Sequence, residues 1–372
     1  MYGLRQAPRQ WFAKLSDALK KFGFVQSYAD YSLFCYQQGS ISLHILVYVD
    51  DLIIAGSCHA MVVRFKEYLS TCFHMKDLGI LKYFLGIEVA RGDDGLFFSQ
   101  RKYALDVLTE AGMIGCKPID TPMEQNHRLA YEEGHPYQYP DQYRRLVGRL
   151  VYLSVTRPDL SYSVHILAQF LSNPQVAHWE AAIRVLRYIK GHPGQGILLS
   201  KDTMQLNAFC DSDWAACPLT RRSLSGYIVL VGRSPVSWKT KKQPTVSRSS
   251  SEAEYRAMAV TTCELKWLKS LLHSLSVFHS LPMKLFCDNQ SAIHIAKNPV
   301  FHERTKHIEV DYHLVRDELK AKNISTFYVP TGNQLVDILP KGHSCQQFGY
   351  LCRKLGFSDT CSNLRGMLNC HT

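Results

Sequence analysis

Apolar positions near the start of the chain recur at helical spacing. Trp11, Leu15, Ala18, Leu19 and Phe22 line one face, Pro8 sits near the first helical position, and Gly23 ends the run. The period then changes. Ser32 to Tyr36 and Ser42 to Tyr48 read as strands, and Leu52 to Ala55 as another. Val49-Asp50-Asp51 therefore falls at or near a tight reversal inside an apolar stretch. Met61, Phe65, Tyr68, Leu69 and Phe73 mark an amphipathic helix. Tyr83 to Val89 and Leu96 to Phe98 flank Gly92-Asp93-Asp94-Gly95, a hairpin signal, and a helix follows from about Arg101 to Gly112.

Pro118, Pro122, Pro136 and Pro140 break up the next stretch, which reads as a linker or extended surface segment. Three helices are predicted near 142–155, 159–172 and 175–190, with Asp159 starting the second and Gly191 and Pro193 stopping the third. Strand patterns then return at Gln205 to Cys210, Ser225 to Val231 and Val236 to Lys239. A long helix (Ser249 to Leu275), a short strand (Leu285 to Cys287), helices at Asn289 to Lys297 and Lys306 to Lys320, a strand (Ile324 to Val329) and a helical turn (Gln334 to Leu339) complete the order. That order suits a mixed sheet flanked by helices.

Length and charge narrow the picture. A chain of 372 residues implies two or more domains. A net charge of +11 favours polyanionic partners, nucleic acid first. The twelve cysteines form no CxxC pair and no zinc-type grouping, so reduced thiols in an intracellular protein are expected. No signal peptide is recognisable, and Asp50 and Asp51 interrupt the longest apolar stretch well short of a membrane span, so no membrane partner is expected.

The acids carry the chemistry. Asp211 and Asp213 close one predicted strand, Glu252 lies in the first turn of the long helix, Asp288 ends another strand, and Asp337 lies in the last helical turn. Parallel neighbouring strands would set Asp211 beside Asp288, with Glu252 and Asp337 above them. Clustered carboxylates repel unless a cation neutralises them, and oxygen-only ligands suit Mg²⁺ or Mn²⁺. Taken singly, each acid is more often a cap or a solvated strand end, and Glu252 alone fits a capping box with Ser249. Asp213 is expected to face away from Asp211's partners.

Several stretches together carry a family resemblance. Asp211-Ser-Asp-Trp-Ala, Arg221-Arg-Ser-Leu-Ser-Gly-Tyr, Val236-Ser-Trp-Lys-Thr-Lys-Lys-Gln, Ser249-Ser-Ser-Glu-Ala-Glu-Tyr, Cys287-Asp-Asn-Gln-Ser-Ala, Arg304-Thr-Lys-His-Ile-Glu and Gln334-Leu-Val-Asp-Ile-Leu resemble the RNase H domain of copia-type long-terminal-repeat retrotransposons. Tyr2-Gly-Leu-Arg-Gln-Ala-Pro-Arg-Gln-Trp, Tyr48-Val-Asp-Asp and Tyr83-Phe-Leu-Gly-Ile-Glu-Val resemble the reverse transcriptase of the same elements. Leu146 to Leu153, Thr156-Arg-Pro-Asp and Arg184-Val-Leu-Arg-Tyr-Ile-Lys-Gly resemble the thumb and connection between them.

The resemblance implies a multidomain α/β and α+β chain from the C-terminal part of a Pol polyprotein. Its expected parts are a truncated reverse-transcriptase palm (1–112), a linker (113–142), a helical thumb and connection (143–192), an RNase H-like mixed five-stranded sheet with flanking helices (193–345) and a tail (346–372). It implies hydrolysis of the RNA strand of RNA–DNA hybrids with two Mg²⁺ (or Mn²⁺) ions. Asp211 would bridge them, Glu252 and Asp288 would hold one, and Asp337 the other. Asp50 and Asp51 correspond to the polymerase metal pair. The polymerase needs a further aspartate on a strand before the Tyr2 motif; Asp17 and Asp30 suit neither that context nor that role, so no polymerase activity is expected from this chain alone. The implied partners are RNA–DNA hybrid and other Pol polyprotein segments, in the cytoplasm. Ser249, Asn289 and Gln290 are candidates for the hybrid's minor groove, and Lys239, Lys241, Lys242 and Arg248 for its phosphates. His307 is read as structural rather than as a general base. The competing reading is a catalytically dead nucleic-acid-binding remnant.

Overall fold

The computed structural model describes residues 6–130, 134–298 and 309–359. Packing divides the chain into two units, Met1–Leu81 with Lys266–Ser280, and Lys82–Leu265 with Leu281–Thr372.

The first unit contains α1 (Ala7–Phe22), β1 (Val25–Gln26), β2 (Leu33–Gln38), β3 (Ile41–Tyr48), β4 (Asp51–Gly56) and α2 (His59–Cys72). Gly23 stops α1 by adopting φ +113°, where its N–H reaches the carbonyls of Leu19 and Lys20. The strands form an antiparallel sheet in chain order. Leu43, Ile45 and Val47 alternate inward along β3 and pack with Leu15, Leu19, Phe34, Phe65 and Leu69. The β3–β4 hairpin turns on Val49 and Asp50, with Tyr48 paired to Asp51. Val49 takes φ +49°, a conformation β-branched residues avoid. Its carbonyl accepts a hydrogen bond from Trp11 Nε1 at 2.8 Å, which anchors the turn. Asp50 and Asp51 are therefore exposed at the hairpin tip, where water offsets their charge.

The second unit holds two sheets. In the first, β5 (Tyr83–Phe84), β6 (Ile87–Gly92), β7 (Gly95–Ser99), β8 (Gln195–Ser200) and β14 (Phe357–Asp359) lie in the order β14-β8-β7-β6-β5. The β6–β7 hairpin turns on Asp93 and Asp94, with Gly92 opposite Gly95. Glycine is required at Gly95, because a Cβ there would meet the Leu199 carbonyl oxygen of β8 at 2.0 Å. Helices α3 (Arg101–Glu110), α4 (Pro140–Leu153), α5 (Ser161–Ala168) and α6 (Val176–Gly191) pack around one apolar core. The proline-broken stretch before α4 also enters that core through Met123 and Leu129.

The second sheet comprises β9 (Leu206–Asp213), β10 (Leu224–Val231), β11 (Ser234–Lys242), β12 (Met283–Cys287) and β13 (Ile324–Tyr328), with α7 (Ser250–Ser274, whose residues from Lys266 on count with the first unit), α8 (Gln290–Lys297), α9 (Glu309–Lys320) and α10 (Cys345–Lys354). Its order is β11-β10-β9-β12-β13. The β9–β10 and β10–β11 pairs are antiparallel, and the β9–β12 and β12–β13 pairs are parallel. This is the mixed five-stranded sheet expected from the sequence. Strand β11 runs longer than its apolar pattern indicated, because backbone pairing with β10 continues through Lys242.

The Thr156-Arg-Pro-Asp stretch forms a buried ionic node. Arg157 donates to Asp159 Oδ2 at 2.8 Å and to the His192 carbonyl at 2.8 Å, while Tyr188 Oη donates to Asp159 Oδ2 at 2.8 Å. Both charged side chains are 1% exposed. Asp159→Ala strands the guanidinium in the core and is expected to cost about 3–5 kcal/mol. Urea unfolding followed by circular dichroism checks this; an unchanged midpoint would show that the node does not hold the helices together.

Candidate active site

Strand alternation builds the floor of the site. Leu206, Ala208 and Cys210 of β9, and Met283, Leu285 and Cys287 of β12, are fully buried. The parallel register that sets Phe286 beside Phe209 carries the strand ends forward together, so Asp211 and Asp288 follow at the same edge of the sheet. Thr331 Oγ1 donates to Asp288 Oδ2 at 2.9 Å. Asp337 sits in a 3₁₀ turn, Leu335–Ile338, whose start is tied to β9 where Gln334 Nε2 donates to the Cys210 carbonyl at 3.0 Å.

The helix acid differs from the one singled out in the sequence. Glu252 turns back on its own helix start: Oε2 accepts from the Arg248 N–H at 2.9 Å and Oε1 pairs with Arg256 at 3.0 Å. Ser249 Oγ accepts from the Glu252 N–H at 3.2 Å, as in a capping box. Glu254 is the acid brought to the strand ends. Its Oε1 accepts from the Ser212 N–H at 3.1 Å, and its carboxylate lies with Cys287 and Asp288, all ligand atoms within 4.8 Å of one another. The reason is helical phase: residues two apart point in nearly opposite directions. Glu254 continues the buried stripe of Met258, Thr261 and Leu265. That stripe was the sequence signal that could have identified it.

Asp213 also departs from expectation. Alternation has period two, so Asp213 returns to the face of Asp211 rather than away from it. It lines a cavity of about 370 Å³ together with Tyr162, Cys217, Lys242 and Lys341. Burial raises its pKa, with Lys341 opposing and Asp337 adding to the rise.

Burial dominates the electrostatics, and charge crowding adds to it. Asp211 is 1% exposed, and burial, with the nearby charges of Asp337 and Asp288, pushes its pKa up to about 7 against the opposing effect of Lys341. Burial and the charges of Asp211, Cys287 and Asp288 drive Glu254 well above the ordinary carboxylate range. Asp337 is raised by burial and pulled back by Lys341. Lys341, which carries no motif in the sequence, places Nζ 3.0 Å from Asp211 Oδ1 and 3.0 Å from Asp337 Oδ1. Asp211 Oδ2 is buried with no hydrogen-bond partner among the described residues. A mostly oxygen donor set with an orphaned carboxylate oxygen fits a hard divalent cation such as Mg²⁺ or Mn²⁺.

The other candidates are spread around this centre. Lys239 and Lys241 are exposed on one face of β11, whereas Lys242 lies on the opposite face, its Nζ donating to Gln169 Oε1 at 2.7 Å. Arg248, Ser249 and Gln290 are exposed. Asn289 caps α8, its Oδ1 accepting from the Ala292 N–H at 2.9 Å. Gln243, which ends the Val236-Ser-Trp-Lys-Thr-Lys-Lys-Gln motif but carries no assigned role there, donates to Ser212 Oγ at 3.2 Å, Ser225 Oγ at 2.8 Å and the Ala253 carbonyl at 2.9 Å, so it ties β9 and β10 to the start of α7. His343 Nε2 donates to the Asp337 carbonyl at 2.9 Å. His307 lies outside the described residues. No described helix is long and apolar enough to cross a membrane.

Comparison with known proteins agrees with these motifs. The sequence profile of the family described as reverse transcriptase (RNA-dependent DNA polymerase) matches residues 1–125. The chain is 44% identical over 357 residues to the retrovirus-related Pol polyprotein from transposon RE2 of Arabidopsis thaliana, an alignment covering 96% of this chain and 24% of that relative. It is 32% identical over 272 residues to the putative transposon Ty5-1 protein of Saccharomyces cerevisiae, covering 71% of this chain and 87% of that relative. A foamy viral protease–reverse transcriptase solved in complex with RNA/DNA hybrid aligns at a TM-score of 0.47 and 12% identity, over 89% of this chain and 39% of that one. The chain spans about a quarter of the length of the transposon Pol polyproteins it matches. It belongs to the family of Pol polyproteins of copia-type retrotransposons.

Proposed function

We propose that the second unit hydrolyses the RNA strand of RNA–DNA hybrids with two divalent ions. The observation that carries this reading is the convergence of Asp211, Glu254, Asp288 and Asp337 at one edge of the mixed sheet. Asp211 would serve both ions, Glu254 and Asp288 one, and Asp337 the other. When bound, the ions supply the charge that activates water and stabilises the departing 3′ oxygen. Water attacks phosphorus, the P–O3′ bond breaks, and the products carry a 5′-phosphate and a 3′-hydroxyl.

The chain's own residues hold this arrangement in place. The Ser212 N–H fixes Glu254, Thr331 fixes Asp288, and Gln334 seats the turn that carries Asp337. Ser249, Asn289 and Gln290 are assigned to the minor groove, where 2′-hydroxyls distinguish RNA. Lys239, Lys241 and Arg248 are assigned to phosphates, whereas Lys242, held by Gln169 on the opposite face of β11, is not. Asp50 and Asp51, at the exposed hairpin tip, are assigned as the metal pair of the reverse-transcriptase half.

Cleavage of a labelled RNA–DNA hybrid by the full chain, with Mg²⁺ or Mn²⁺, tests the proposal. Asp211→Asn and Glu254→Gln are each expected to lose more than about a hundredfold in rate, beyond the 10–100-fold range typical of outer-shell partners. Glu252→Gln is expected to stay within about tenfold, since it disturbs only the helix start. Chelation with EDTA should abolish cleavage. Undiminished cleavage by Asp211→Asn would sink the catalytic reading, and a Glu252→Gln variant as dead as Glu254→Gln would sink the choice of helix acid.

Hybrid affinity measured against salt tests the basic residues. Removing Lys239 or Lys241 should flatten the slope of log affinity against log salt by roughly 0.9 for each phosphate that is no longer neutralised. A slope unchanged in the Lys239→Ala, Lys241→Ala double variant would remove this face from the interface.

A further inference from the structure

We infer that Lys341 is a built-in counter-cation, which competes with a divalent ion for Asp211 and Asp337 and swings away when that ion binds. The inference rests on the cation-site reading above. Its ground is a coincidence of position: one ammonium lies 3.0 Å from Asp211 Oδ1 and 3.0 Å from Asp337 Oδ1, two oxygens assigned to the ions. Two cations cannot share that space. Without the ammonium, buried like charges would face each other with, among the described residues, His343 left to offset them at Asp337.

The side chain has somewhere to go. The Lys341 side chain is 26% exposed, against 2% for the Asp211 side chain and 7% for that of Asp337. It borders the cavity beside Asp213 and Tyr162, so its head can leave without moving the backbone. Lysine suits this role better than arginine. Its charge is compact, strongly hydrated and carried on a flexible stem, whereas a guanidinium would lock both carboxylates in a planar clamp.

Calorimetric titration of the metal-free full chain with Mn²⁺ tests the inference. Lys341→Met should bind Mn²⁺ about tenfold tighter, the change expected when a competing interaction of about 1.4 kcal/mol is removed. Its Tm without metal should fall, and saturating Mn²⁺ should restore it. The wild-type chain provides an arm that needs no variant. Lys341 should resist an amine-acylating reagent without metal and become reactive on adding Mn²⁺, as read by mass spectrometry. Equal labelling with and without Mn²⁺, or Mn²⁺ affinity unchanged in a folded Lys341→Met chain, overturns the inference. So does a Lys341→Met chain that loses hybrid affinity at unchanged Mn²⁺ affinity, since Lys341 would then serve phosphate alone. Asp211→Asn keeps the two readings apart: if it binds Mn²⁺ as tightly as wild type, the cation site itself is misplaced.

Discussion

Carboxylates forced together in a buried site must be neutralised, and the second unit is arranged around that constraint. Asp211 is nearly inaccessible to water, and Glu254 and Asp337 are almost as deeply placed. An isolated buried charge is costly, and neighbouring charges of the same sign raise the cost further. The site offsets this locally with the Ser212 N–H, the Thr331 hydroxyl and the Lys341 ammonium. Among the described residues, these partners leave one oxygen of Asp211 unsatisfied. The arrangement is therefore poised for an added positive charge rather than closed against it.

Three unrelated pieces of local geometry must agree to produce this crowding. Parallel pairing of β9 with β12 brings two acids to one sheet edge. The phase of α7 selects a third, and the 3₁₀ turn at Leu335–Ile338 delivers the fourth. Gln243 links two of these pieces through its hydrogen bonds to Ser212, Ser225 and Ala253. The buried Arg157–Asp159–Tyr188 node does comparable work for the helices, at the high desolvation cost that makes such nodes sensitive to losing one partner.

The Asp50–Asp51 pair illustrates the opposite solution. Here the acids are not buried but stand exposed at a hairpin tip. The turn holds Val49 in a left-handed conformation, with its carbonyl tied to Trp11. Trp11 thus helps to hold a turn conformation that is strained for a β-branched residue.

Much of this was legible in the chain itself. Helical spacing and Gly23 placed α1, alternation placed β3, the Gly92–Gly95 turn placed the β6–β7 hairpin, and the order of elements implied the mixed five-stranded sheet. Asp211, Asp288 and Asp337 stood out because acids ending apolar elements are conspicuous. Tertiary structure decided the rest. Two glutamates separated by one residue look equivalent in sequence, and only the rotation of α7 against the sheet turns Glu254, not Glu252, toward Asp211. Lys239, Lys241 and Lys242 read as one basic run, yet strand pairing through Lys242 sends Lys242 to the opposite face. Lys341 carried no signal at all, because a lone lysine after a short turn is ordinary until folding sets its ammonium between two carboxylates. Local periodicity is written into consecutive residues, whereas these three outcomes depend on which distant segments share a surface.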